Sequence, residues 1–77
     1  MNVQELIKKM QLHATGANIH TVNKAITYLD ALNDKPNILR NCFKSPEVVL
    51  NKLYTLCAAA IIDNNWKAVD IYLRGWF

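Results

Sequence analysis

Glycine and proline are scarce in this chain, with two of each among 77 residues. So few turn formers, and no stretch in which apolar and polar residues alternate for long, exclude a sheet built from hairpins and leave an all-α fold. The lack of glycine also excludes a glycine-rich loop cradling phosphates. Charge is thin: Lys, Arg, Asp and Glu together make up 19%, against about 25% in ordinary domains. The net charge is only +3, and Glu5, Asp30, Asp34, Glu47, Asp63 and Asp70 are interleaved with the basic residues. That excludes the dense basic face of a dedicated nucleic-acid binder. The longest unbroken apolar run, residues 56–62, falls far short of the ~20 residues that span a bilayer. Residues 1–12 alternate in helical rather than continuously apolar fashion, so no signal peptide is expected. The two cysteines sit among apolar residues, which suits a reducing cytoplasm.

Apolar residues, by contrast, are slightly in excess, at 52% against a usual ~45–50%. A chain of 77 residues makes one domain whose core supplies about 3–5 kcal/mol net. The excess therefore points to apolar surface meant for a partner.

The stretch from Ser45 to Asn64 is the expected centre of the fold. Ser45 can cap a helix start, Pro46 suits the first helical position, and Glu47 complements the positive end of the dipole. Lys52, Thr55, Ala59 and Asp63 form one narrow stripe fit for water. Val49, Leu50, Leu53, Tyr54, Leu56, Cys57, Ala60 and Ile61 cover the rest, as in a helix packed on two or three sides.

Around it, residues 2–13 read as an amphipathic helix with Val3, Leu6, Ile7 and Met10 on one stripe. Asn2 and Glu5 resemble a capping box, and Gly16 is the expected stop. Residues 18–33 read as a second helix, capped by Asn18, with Ile19, Val22, Ile26, Leu29 and Leu32 inward and Ala25 allowing close approach. His20, Asn23, Lys24, Thr27 and Asp30 should face water. Asn33-Asp34-Lys35-Pro36 breaks that helix. Residues 36–43 allow a short helical turn. Asp63, Asn64 and Asn65 make a tight connection, and residues 66–76 form the last helix, folded back antiparallel to the central one. Trp66, Val69, Leu73 and Trp76 share one face of it, with Tyr72 beside them and Lys67, Asp70 and Arg74 opposite. The expected architecture is a compact bundle of four main helices plus a short helical turn.

Chemistry-bearing constellations are few. Cys42 and Cys57 are 15 residues apart and His13 and His20 are 7 apart, unlike the tight pairs of structural zinc sites. No metal, cofactor or catalytic residue is expected, and the cysteines read as small buried apolar groups. Lys24-Ala25-Ile26 and Lys67-Ala68-Val69 lie 43 residues apart, a spacing within the range of two-helix repeats. The segment NNWKAVDIYLRGW resembles a tetratricopeptide helix, in which a tryptophan precedes a small residue and then a tyrosine. It covers about a dozen residues and lacks that family's glycine and proline markers, so two similar amphipathic helices account for it.

Two surfaces remain as functional candidates. The C-terminal dozen residues carry Trp66, Tyr72, Trp76 and Phe77, four of the seven aromatics. Ile71 lies amid the polar stripe there and must be exposed if Trp66 and Leu73 are buried. Ile71, Trp76 and Phe77, with Arg74 at the rim, form the candidate contact patch for another protein or a second copy of the chain. The alternative is a minimal nucleic-acid-binding regulator using Lys35, Arg40, Lys44 and Lys52 on phosphates. In length and in its weight of Asn, Lys and Ile, the chain resembles the small accessory proteins of AT-rich lytic phages. That resemblance implies a cytoplasmic regulator that inhibits or redirects a host or phage protein, the lysis machinery included.

Overall fold

The computed structural model describes residues 2–34 and 45–75. Four helices account for them, and no strand occurs among the described residues. They are α1 (Val3–His13), α2 (Ile19–Asp34), α3 (Pro46–Asp63) and α4 (Lys67–Arg74). The expected short helical turn at 36–43 lies outside the described residues, as do Lys35, Arg40, Cys42, Lys44, Trp76 and Phe77.

Each helix begins and ends for local reasons. The Asn2 side chain accepts a hydrogen bond from the Glu5 N–H at 3.0 Å, so the forward half of the capping box forms. The end of α1 departs from expectation. Ala14 leaves the helix in extended backbone, and Gly16 does not take a left-handed conformation. Asn18 does that work instead: its Nδ2 donates to the His13 carbonyl at 3.4 Å, and its Oδ1 accepts from the Thr15 N–H at 2.6 Å. The same bonds correct the expected role of Asn18 as side-chain cap of α2. Its side chain is spent backwards on the turn, and only its backbone carbonyl enters α2, accepting from Val22. At α3, Pro46 takes the first position as its fixed φ favours. Ser45 makes no side-chain cap, and its carbonyl accepts from Val48 and Val49 instead. Asn64 ends α3 in the left-handed region at φ 51°, donating its N–H to the Ala60 carbonyl. Asn65 then accepts from the Lys67 N–H at 3.1 Å and so starts α4.

These short links set the directions. Gln4 at the start of α1 reaches Asp30 near the end of α2 at 3.3 Å, so the two helices are antiparallel. Helix α4 turns back along α3 and runs alongside α2, with Lys24 Nζ donating to the Leu73 carbonyl at 3.4 Å. Lys24 is thus half-buried, and it contributes a cation at the negative end of α4 rather than facing water. Helices α1 and α3 run one way, and α2 and α4 the other. Helices α2 and α3 each touch all three others, whereas α1 and α4 do not meet among the described residues. The centre expected of α3 alone is shared with α2.

The core follows the apolar stripes. Val3, Leu6, Ile7 and Met10 are buried from α1, Val22, Ala25, Leu29 and Leu32 from α2, and Trp66, Val69 and Leu73 from the last segment. Ile19 and Ile26 are half-buried. On α3, Lys52, Thr55, Ala59 and Asp63 face water as their spacing predicts, but burial is complete only for Pro46, Leu53, Cys57 and Ala60. Val49, Leu50, Tyr54, Leu56, Ala58 and Ile61 are half-buried flanks. The apolar circumference of α3 thus exceeds what its three neighbours cover.

Burial pushes the Cys57 thiol up from its ordinary 9.0 to about 12, which makes it a poor nucleophile. An acid whose folded-state pKa is raised gives its full stability below pH 9 and loses it as pH climbs toward 12. Urea midpoints of the wild type and Cys57→Ala should therefore converge by about 2 kcal/mol between about pH 8 and about pH 10.5. A constant difference would contradict the burial of the thiol.

Candidate protein-binding surface

Helices α1 and α3 lie side by side and leave a groove of about 250 Å³ between them. Leu6, Tyr54, Ala58, Ile61 and Ile62 line it, with Glu5 and Lys9 on the α1 side. The reason is the width of the apolar arc on α3. Tyr54, Ala58 and Ile61 recur every three or four residues, so they form a second stripe beside the fully buried strip of Leu53, Cys57 and Ala60. Helix α1 is narrowly amphipathic: it buries its own four residues and turns Glu5 and Lys9 outward. It therefore covers only part of that arc. Ile62 is left 84% exposed in the last turn of α3, and Leu12 is equally exposed in the last turn of α1. The two helices run in the same direction, so both residues lie toward the same end of the bundle.

The residues singled out from sequence are distributed differently. Ile71 is 57% exposed on the outer side of α4, as its place in the polar stripe requires. Arg74, one turn on, pairs with Asp70 at 2.7 Å. Both partners are solvated, so this pair adds little to stability. Trp76 and Phe77 lie outside the described residues, so Ile71 and Arg74 are the part of the expected patch that the structure places. Lys52 is exposed on the wet stripe of α3, while Lys35, Arg40 and Lys44 lie outside the described residues. His13 and His20 are exposed at helix ends. Among the described residues no three His, Cys, Asp or Glu side chains cluster as metal ligands, and no helix is long and apolar enough to cross a membrane.

A second concavity opens at one end of the bundle, where the α1–α2 link and the start of α2 meet the α3–α4 link and the start of α4. This cleft, of about 470 Å³, is of mixed polarity, with Thr15, Ala17, Asn18, Thr21, Asn64, Asn65, Lys67 and Asp70 around it. Trp66 also lines it and is 7% exposed. The Trp66 indole N–H is buried without a hydrogen-bond partner among the described residues, an arrangement that costs about 1–3 kcal/mol.

Sequence reasoning missed both concavities. The signal for the groove was present in the surplus of apolar residues around α3. The cleft depends on how two helix starts meet, and neighbouring residues in the chain do not encode that.

No protein-family model matches the chain, and no curated protein or solved structure matches it either.

Proposed function

We propose that this chain is a small non-catalytic regulator of the cytoplasm that acts by holding another protein in the groove between α1 and α3. One observation carries the reading: a groove lined by Leu6, Tyr54, Ala58 and Ile61, with the 84% exposed Ile62 at its lip. At about 250 Å³ the groove falls below the ~300–1,000 Å³ of small-molecule sites. It suits one large apolar side chain of a partner, such as the anchor of a docked helix. Glu5 and Lys9 supply a charged rim that would fix orientation more than affinity. The free, buried thiol of Cys57 accords with a reducing compartment.

The test begins with photo-crosslinking from position 58 in cells and sedimentation of the purified chain over a wide concentration range. A complex of either kind should weaken tenfold or more in Ile62→Glu or Ala58→Arg, since loss of a buried anchor commonly costs over 1 kcal/mol. Ile62→Glu should leave stability within about 0.5 kcal/mol, as expected of an exposed position. A monomer that forms no crosslink from position 58 would overturn the proposal. Loss of the complex in Ile71→Asp but not in Ile62→Glu would move the contact to the outer face of α4, where Ile71 and Arg74 lie.

A further inference from the structure

The groove between α1 and α3 is complementary to itself, and we propose that the protein it holds is a second copy of this chain, packed antiparallel about a twofold axis at Ala58. The inference rests on the protein-binding reading and names its partner. Helices α1 and α3 run the same way, and the groove spans residues 5–9 of one and residues 54–62 of the other. Ala58 lies midway along the α3 wall, with Tyr54 one turn before it and Ile62 one turn after. On the α1 wall, Glu5 and Lys9 lie one turn apart and flank the middle in the same way. No other charged side chain among the described residues lines the groove. Glu5 and Lys9 are both exposed and make no ion pair with each other among the described residues, although their spacing would allow one. Each is therefore free to pair across an interface.

A twofold axis crossing both helices at that middle reverses their direction and exchanges the two ends of the groove. Tyr54 of each copy then meets Ile62 of the other, and Glu5 meets Lys9 of the other. Every contact is made twice, and the surface closes on itself as an isologous interface requires. The charges select this arrangement. A twofold axis running along the helices would instead lay Glu5 and Lys9 over Tyr54 and Ile62 of the second copy, burying both charges unpaired against an apolar wall. The sizes agree with the charges. Ala58 at the axis has a short side chain that lets the two copies of α3 approach closely, while Tyr54 and Ile62 on either side interdigitate. Ile62, 84% exposed in the single chain, is thereby covered, and each groove of about 250 Å³ receives one isoleucine. A domain of 77 residues has a marginal core, and self-association is one of the usual remedies.

The experiment is sedimentation equilibrium of the purified full chain, with the rim charges exchanged. The wild type should form a concentration-dependent dimer. Glu5→Lys and Lys9→Glu should each weaken it about tenfold, because each sets two like-charge pairs across the axis. An equimolar mixture of the two variants should recover the wild-type affinity to within about threefold, since one chain then carries both cations and the other both anions. Loss of folding cannot imitate recovery on mixing. In a dimer of labelled and unlabelled chains, isotope-filtered NMR should show the Tyr54 ring against the Ile62 methyls, which lie about 12 Å apart along one helix and cannot meet within it. A dimer that ignores both exchanges, or that is weakened by both and not recovered on mixing, would overturn the proposal. A chain that stays monomeric yet crosslinks from position 58 to a different protein would also overturn it, while leaving the protein-binding reading intact. A monomer without that crosslink would remove both.

Discussion

Leu53→Ala is expected to cost about 2–5 kcal/mol of folding free energy. Leu53 is fully buried in the one strip of α3 that closes completely, on a helix that touches all three others. Removing its isobutyl group leaves a void that the facing helices cannot all close on at once. A core of this size supplies about 3–5 kcal/mol net, so the variant should lose its cooperative urea transition or hold it only at low temperature. Leu56→Ala is the matched control, because Leu56 is half-buried on the flank of the same helix. It should cost less than half as much. Equal costs in circular-dichroism melts would mean that the closed strip is not the centre of the core.

Trp66→Ala should cost about 3–5 kcal/mol, and the damage should concentrate in α4. That helix has 8 residues, far below the ~12–15 at which an isolated helix becomes even marginal in water. It stays helical because Trp66, Val69 and Leu73 are buried against its neighbours. Without the indole, only two buried anchors remain on α4. Amide exchange in residues 67–74 should accelerate more than in α1, and helical ellipticity should fall. Trp66→Phe should cost much less than Trp66→Ala. It retains an aromatic ring and removes an N–H that has no acceptor among the described residues. Protection in residues 67–74 that survives Trp66→Ala would show that another contact holds α4.

The helices were legible because their stripes are simple. Val3, Leu6, Ile7 and Met10 recur at helical spacing and are all buried, and Val69, Leu73 and Trp66 do the same at the other end. The lone Ile71 in a polar stripe was legible for the same reason. Other features depended on distant residues. Nothing near Lys24 in the chain announces that it will reach the Leu73 carbonyl, 49 positions on. Gly16 carried the expected stop of α1, but the carboxamide of Asn18 offered two hydrogen bonds there and made a left-handed glycine unnecessary. On α3, periodicity separated wet from dry, yet it could not grade the dry arc. Whether Leu53 or Ile61 is sealed depends on how far α1 reaches around, and α1 is too narrow to reach Ile62. The groove was therefore present in the sequence as an excess without an address.

The absence of contact between α1 and α4 among the described residues has its own consequence. Helices α2 and α3 act as a keel with one plank on each side, so loosening either plank need not disturb the other. The proposed protein groove belongs to the α1 side. Among the described residues, a partner that stiffens α1 therefore reaches α4 by way of the keel.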